Sequence, residues 1–271
     1  MYWKYLHKAS AFEILANRGV WSLAFCFILL AIRKEVRSTF SIFRKADLAK
    51  MLLVTSVLLG INWGTYIWSV SVDRIVEASL GYYIAPLINI AFGVLMFRER
   101  LRRFQWVAVV LAAIGVFVLT VQFGTVPWIA LVIATSWGSY TLLKKRLNLG
   151  ALEGLSIETT LTLPVFLFYL IWIEHKGTAQ LGTSVGFTLL LVSAGIVTVV
   201  PLLLFNGAAT RLPLTITGLL QYIIPTIMFI IGTAVNHESM PIGRVAGFTF
   251  IWVALTFLGY DLIKANRATA S

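Results

Sequence analysis

The sequence is poor in charge and in the residues that build metal or redox centres. Asp, Glu, Lys and Arg make up 12% of its 271 residues, whereas about a quarter is usual in a soluble domain. The single cysteine, Cys26, lies in an apolar run, where a small core residue is the ordinary interpretation. The three histidines fall in three different connections, so we predict no metal site and no cofactor. The shortage of charge excludes a water-soluble fold for a chain of this length.

Hydrophobic residues form 59% of the chain, give it a mean hydropathy of +0.89, and occur in unbroken runs of about twenty residues. Spanning β-strands would instead alternate apolar and polar residues over about ten positions. Because a backbone in lipid must satisfy its hydrogen bonds internally, these runs predict an all-α polytopic membrane protein. The predicted spans are 13–32, 51–71, 75–97, 104–121, 126–143, 154–173, 186–205, 214–235 and 242–263.

The basic residues predict the orientation of these spans, because Lys and Arg are enriched in cytoplasmic connections. Sixteen of the 22 fall on one side, five fall on the other, and Arg18 lies within a span. The rich side holds Arg33, Lys34, Arg37, Arg44, Lys45, Lys50, Arg98, Arg100, Arg102, Arg103, Lys144, Lys145, Arg146, Arg211, Lys264 and Arg267. We therefore predict a cytoplasmic C-terminus and an external N-terminus for this sequence, and no binding to nucleic acid.

Two copies of one pattern, about 140 residues apart, indicate an internal repeat. Pairs superposed by a shift of 139 residues are Tyr83 and Tyr222, Pro86 and Pro225, Gly93 and Gly232, and Glu99 and Glu238. Five helices in each copy is an odd number, so the second copy must be inverted in the membrane, as in many secondary transporters. The predicted domains are the first repeat at 1–121 and the second, inverted repeat at 122–271.

The repeat also predicts one helix more than the sequence supplies. The span 126–143 is followed by Lys144, whose counterpart at a shift of 140 is Lys4, close to the start of the chain. An additional span before Met1 would also place the N-terminus on the cytoplasmic side. We therefore expect nine membrane helices here, with the first helix of the first repeat missing.

Several motifs resemble the RarD branch of the EamA drug/metabolite transporter (DMT) family. They are EILANR at 13–18, NWGTYIW at 62–68, EASLGYYIAPL at 77–87, RERL at 98–101 and QWVA at 105–108. The resemblance runs over nearly the whole chain and is densest between residues 13 and 115. It implies ten helices in two inverted five-helix repeats, cytoplasmic termini, and export or exchange of small metabolites. The missing first helix is the departure from that pattern.

Ionisable residues inside spans are the first candidates for function, because burying a lone charge in hydrocarbon costs several kcal/mol. Arg18 and Glu158 lie deepest and occupy matching positions of the two repeats at a shift of 140. We interpret them as a buried pair or as two sides of a polar cavity, with snorkelling or a purely structural ion pair as the alternatives. Glu77 stands near a helix start, where a carboxylate also suits the helix dipole. Lys144, at the end of a span, is interpreted as a positive-inside anchor.

Polar residues on single helical faces are the second group of candidates. Ala78, Tyr82, Pro86, Asn89 and Gly93 share one face, which Thr217, Gln221, Pro225, Met228 and Gly232 repeat at the same spacing. Such faces either pack helices closely or line an aqueous path. Gly93 and Gly232 are assigned to packing, and the two prolines are candidate hinges. The candidate cavity residues are Arg18, Asn62, Tyr66, Glu77, Tyr82, Trp137, Glu158 and Gln221.

The function predicted from these observations is secondary transport of a small organic metabolite or drug-like solute across the inner membrane, as an exporter or exchanger. A coupling proton or ion and a homo-oligomer are compatible with the sequence. One alternative is a membrane subunit that assembles with or regulates another protein without transporting. The other is a membrane-embedded lipid-modifying enzyme, which would need a cluster of His, Asp or Glu at one interface that the scattered histidines do not supply. We therefore predict no catalytic residues.

Overall fold

A computed structural model of the chain describes residues 5–6, 8–72, 74–124, 126–230 and 242–270. These residues form helices and short connections, and no strand occurs among them. The helices are α1 Ala11–Ile32, α2 Val36–Phe40, α3 Ala46–Ser71, α4 Ile75–Phe97, α5 Arg103–Phe123, α6 Trp128–Leu147, α7 Ala151–His175, α8 Val185–Arg211, α9 Leu214–Gln221, α10 Ile223–Ile230 and α11 Ile242–Ala270. A 3₁₀ turn, Ser41–Arg44, precedes α3. The all-helical prediction is confirmed for the described residues.

Six of the described helices, α1, α3, α4, α5, α7 and α8, are long and apolar enough to cross a membrane, and α11 contains a shorter apolar stretch, Val245–Asp261. Large hydrophobic side chains such as Phe117, Phe168 and Leu204 lie on their outer surfaces. In water that exposure would be costly, whereas in a bilayer lipid tails solvate these side chains. Eight of the predicted spans correspond to one continuous helix each, and the total of nine spans stays a prediction.

The ninth predicted span, 214–235, is divided. Helix α9 ends at Gln221 and α10 begins at Ile223, with Tyr222 between them. Pro225 explains the position of this break, because a proline has no N–H to donate to the carbonyl four residues earlier, which belongs to Gln221. Pro86, by contrast, lies inside the uninterrupted helix α4. Residues 231–235, with Gly232, lie outside the described residues, as does Glu238.

The chain divides into two compact units, each containing helices from both halves of the sequence. Unit one consists of residues 1–73 and 143–211, and unit two consists of residues 74–142 and 212–271. Unit one therefore holds α1, α2, α3, α7, α8 and the last turn of α6. Unit two holds α4, α5, the rest of α6, and α9 to α11.

Glycines allow the closest helix approaches within each unit. In unit one, a β-carbon on Gly195 of α8 would lie 2.5 Å from the carbonyl carbon of Trp21 in α1. In unit two, a β-carbon on Gly115 of α5 would lie 2.8 Å from the carbonyl oxygen of Gly247 in α11. Small residues are common at such contacts in membranes because helices there associate by close packing, without a hydrophobic driving force.

Candidate functional site

Arg18 is the centre of a polar cluster in unit one. It stands in the second turn of α1 and is half-buried. Its Nε donates a hydrogen bond to Thr198 Oγ1 in α8 at 3.1 Å, and its guanidinium carbon lies 4.7 Å from the centroid of the Trp63 ring in α3. An arginine over an aromatic face gains a cation–π attraction, which is stronger when the pair is shielded from water. Three helices therefore hold this charge in one place.

Two further predicted residues belong to the same part of unit one. Tyr66 follows Trp63 by three positions along α3 and is half-buried. Asn62 precedes Trp63 and is buried. The spacing of Asn62 and Tyr66, four residues, places them on one face of α3. The structure thus brings Arg18 into contact with Thr198, which the sequence did not single out, and a cavity shared by Arg18, Asn62 and Tyr66 stays a prediction.

Glu158 is the second buried charge of unit one, and its partner is Lys144. Lys144 Nζ lies 3.2 Å from Glu158 Oε1, and Thr55 Oγ1 of α3 donates a hydrogen bond to the same oxygen at 2.7 Å. The Lys144 and Glu158 side chains are only 2% and 0% exposed. The interpretation of Lys144 as a positive-inside anchor is therefore wrong for this side chain. It folds inward because α7 follows α6 after three residues and presents Glu158 to it.

Gly154 makes room for the ammonium group of Lys144. A β-carbon at this position would overlap Lys144 Nζ, so any larger residue would displace it. A buried ion pair is not a strong source of stability, since desolvating two charges offsets most of their attraction. Removing one partner, however, strands the other in an apolar interior at a high cost.

Arg18 and Glu158, which occupy matching positions of the internal repeat, both lie in unit one. Each stands at the eighth residue of its helix, α1 or α7. Their described contacts differ, because Arg18 contacts Thr198 and Trp63 whereas Glu158 contacts Lys144 and Thr55. The structural alternative for Glu158 gains support from its ion pair, and a shared cavity stays a prediction.

Glu77, in unit two, ties the starts of two helices together. Its Oε1 accepts a hydrogen bond from the backbone N–H of Ile129 in α6 at 2.9 Å, and its other oxygen pairs with Arg74. A carboxylate on the first N–H groups of a helix satisfies donors that have no partner inside the helix and interacts with the helix dipole. These contacts favour the structural alternative for Glu77.

The remaining predicted residues also lie in unit two. Trp137 stacks on Tyr140 with ring centroids 5.5 Å apart, and Tyr82 is half-buried in α4. Gln221 is the last residue of α9 and is 9% exposed. Pro86 is buried, and Pro225 lies in α10. None of their predicted roles in a solute path is tested by these positions alone.

Glutamates that satisfy distant backbone groups were not predicted from the sequence. Glu13 Oε1 accepts hydrogen bonds from the N–H groups of Gln180 and Leu181, at 2.7 and 3.2 Å. Glu99 accepts the N–H groups of Leu214 and Thr215, at 2.7 and 3.0 Å, at the start of α9. The sequence signal for Glu99 was its position in the repeat, opposite Glu238. Across the described residues, no three His, Cys, Asp or Glu side chains are grouped so that they could hold a metal ion.

Charged, amide and aromatic side chains buried among membrane helices are typical of transporters and channels, since each of them is costly in lipid. The profile of the EamA-like transporter family matches the chain at residues 1–121 and 125–260. A protein RarD from Streptomyces exfoliatus is 44% identical over 98% of this chain and 85% of its own length. An uncharacterized transporter from Vibrio cholerae is 43% identical over 99% of this chain and 89% of its own length.

A solved crystal structure is also similar, with a TM-score of 0.69 over 92% of this chain and 88% of its own length. At 16% identity, it supports the fold alone. The chain belongs to the RarD branch of the EamA-like transporter family. It is therefore a multi-pass membrane protein of a transporter family, as the motifs at 13–18, 62–68 and 77–87 predicted.

Proposed function

We propose that the chain moves a small polar organic solute across the bacterial inner membrane as a secondary exporter or exchanger. The observation that carries this proposal is the position of Arg18. Its charge lies in the second turn of an apolar helix and is held by Thr198 of α8 and Trp63 of α3. An intramembrane arginine on a helix of this kind most often faces a polar pathway.

The groups around Arg18 suit a small metabolite. A guanidinium supplies positive charge and N–H donors, Trp63 and Tyr66 supply aromatic faces, and Thr198 and Asn62 supply neutral hydrogen-bonding groups. Solute sites commonly combine apolar walls with a few such polar groups that fix orientation. The buried Lys144–Glu158 pair of the same unit is assigned a structural role, since its charges already compensate each other.

The test compares solutes released by cells that express the protein. Cells carrying the wild type, Arg18→Ala or an empty vector are grown alike, and their medium and cytoplasm are compared by mass spectrometry. We expect at least one small polar solute to accumulate outside only with the wild type. Liposomes loaded with that solute and containing the purified protein should release it without ATP, and Arg18→Ala should lower the rate about tenfold or more.

Arg37→Ala is the matched control, because it removes an exposed arginine from α2. It should release the solute at the wild-type rate. Equal solute pools in the wild-type and empty-vector cells, or equal release by Arg18→Ala and the wild type, would contradict the proposal.

A further inference from the structure

Two buried amide side chains in unit two have unsatisfied polar atoms. Asn89 in α4 is fully buried, and neither its amide nitrogen nor its amide oxygen finds a partner among the described residues. Gln221 at the end of α9 is 9% exposed, and its amide nitrogen likewise finds none. Buried amides are nearly always hydrogen-bonded in folded proteins, so each exception requires an explanation.

The packing of α4 against α9 brings these residues to the same helix interface. A β-carbon on Gly218 would lie 2.7 Å from the carbonyl oxygen of Pro86 and 3.3 Å from Asn89 Cβ. One turn later, at Tyr222 directly after α9, the hydroxyl donates a hydrogen bond to the carbonyl oxygen of Tyr83 at 3.1 Å. As the chain advances from 218 to 222, its contacts in α4 move back from 89 towards 83, so α4 and α9 are antiparallel. This register places Gln221 about one helical turn along the interface from Asn89.

The backbone is interrupted at the same level. Helix α9 ends at Gln221, and Pro225 cannot donate an N–H to the Gln221 carbonyl. Discontinuous helices form the solute sites of several transporter folds, where a broken helix lines a cavity. Asn89 is completely enclosed, so a solute would reach its amide only after the helices around it move apart.

We propose that the amides of Asn89 and Gln221 form a solute subsite that hydrogen-bonds an uncharged group with both a donor and an acceptor, such as a carboxamide or a hydroxyl. The inference rests on the proposed transport function and names part of its substrate. An asparagine amide offers two N–H donors and one carbonyl acceptor, which matches a carboxamide in a pair of reciprocal bonds. Neither amide carries a net charge to offset the desolvation of an ion, which argues against a carboxylate or ammonium group at this position.

The first test measures stability and requires no known substrate. Asn89→Leu replaces an unsatisfied amide with an apolar side chain of similar size, so it should raise the melting temperature of the purified protein by roughly 2–4 °C. Asn17→Leu is the matched control in α1. Asn17 is also fully buried, but its amide donates to the Glu13 carbonyl and accepts from Trp21 Nε1, so its loss should lower the melting temperature. A fall with Asn89→Leu equal to that with Asn17→Leu would assign Asn89 a structural role and overturn the inference.

The second test measures binding with two probes of equal shape, benzamide and benzoate. Benzamide should stabilise the wild type against heating more than benzoate does, and Asn89→Leu and Gln221→Leu should each weaken this effect about tenfold. Testing Gln221→Leu as well separates a loss of binding from a folding defect that is specific to Asn89→Leu. No stabilisation by benzamide, or equal stabilisation of the wild type and both variants, would overturn the inference.

The two proposals fail in different ways. If benzamide binding depends on both amides while no solute is released from cells or liposomes, the subsite stands and the transport function fails. If the wild type releases a solute and both leucine variants release it at the same rate and bind benzamide equally, transport stands and the subsite fails. A melting temperature that rises in Asn89→Leu with unchanged binding would mean that the amides hold only structural water, which also overturns the subsite.

Discussion

The two units of the molecule bury polarity in different forms. Unit one encloses net charges well inside its helices, with Lys144 paired to Glu158 and Arg18 held against Trp63. In unit two, Glu77 and Glu99 bind backbone N–H groups at helix starts. Unit two also pairs Asp261 with Arg102, but its amides Asn89 and Gln221 have polar atoms without a partner among the described residues. The cluster around Arg18 therefore offers electrostatic contacts, and the unsatisfied amides of unit two offer neutral hydrogen bonds.

This difference has an energetic reason. A buried charge without a partner costs far more than a buried amide without one, so the charges of unit one are paired or stacked. An amide is cheap enough to be left unsatisfied at a site that a solute fills only part of the time. The comparison predicts that stability depends on the charged partners in unit one and on the helix-end glutamates in unit two.

The largest expected effect follows from breaking the ion pair of unit one. Lys144→Ala or Glu158→Ala leaves the other charge buried, and each should lower the free energy of unfolding by about 3–5 kcal/mol. Cys26 provides the measurement, because it is the single cysteine of the chain and is fully buried in α1. Its reaction with a thiol-specific dye during heating should begin at a much lower temperature in either variant.

The double variant Lys144→Met with Glu158→Leu is the control, since it removes both charges and keeps most of the volume. It should recover most of the lost stability, because no charge is left stranded. If each single variant melts like the wild type, the pair is not buried between the helices as the structure has it, and the contrast between the units disappears.

The next effect, in unit two, concerns Glu99 at the start of α9. Its carboxylate accepts two backbone N–H groups and the hydroxyl of Thr215, so Glu99→Ala should lower the free energy of unfolding by about 1.5–3 kcal/mol. Circular dichroism during heating measures this change. Glu174→Ala removes an exposed glutamate from the last turn of α7 and should change stability by less than about 0.5 kcal/mol. Equal melting of the two variants would contradict a capping role for Glu99.

The sequence predicts the helices well, because hydrocarbon leaves few alternatives to an apolar helix. It also identifies Arg18 and Glu158, since an ionisable residue inside an apolar run is conspicuous. Lys144 was misinterpreted because a lysine at the end of a span ordinarily reaches the interface, and its burial depends on the following turn and on Gly154. Glu99 contacts Leu214 across 115 residues, a distance over which no local pattern carries information. The break after Gln221 was foreseen only as a candidate hinge at Pro225.

The smallest expected effect tests whether Lys144 is as tightly enclosed as its 2% exposure indicates. Gly154→Ala places a β-carbon where Lys144 Nζ lies, so the lysine must shift away from Glu158. The overlapping atom lies at the end of a flexible side chain, which can move. The net fall in the free energy of unfolding should therefore be about 1 kcal/mol, and this already includes a gain of up to about 1 kcal/mol from alanine's better helix propensity. Gly60→Ala in α3 is the matched control, since nothing lies within 4 Å of its added β-carbon, and it should be neutral or stabilising.

A double-mutant cycle separates this clash from any other effect of the alanine. In a Lys144→Met, Glu158→Leu background, the side chain at 144 is shorter, uncharged and no longer held by an ion pair. Gly154→Ala should therefore lower the free energy of unfolding much less there than in the wild type. The heat-induced labelling of Cys26 again measures the change. If Gly154→Ala and Gly60→Ala shift the labelling temperature equally in both backgrounds, Lys144 has room to move. The ion pair of unit one would then tolerate small shifts of its atoms. The two units would differ only in whether their buried polar groups carry a charge.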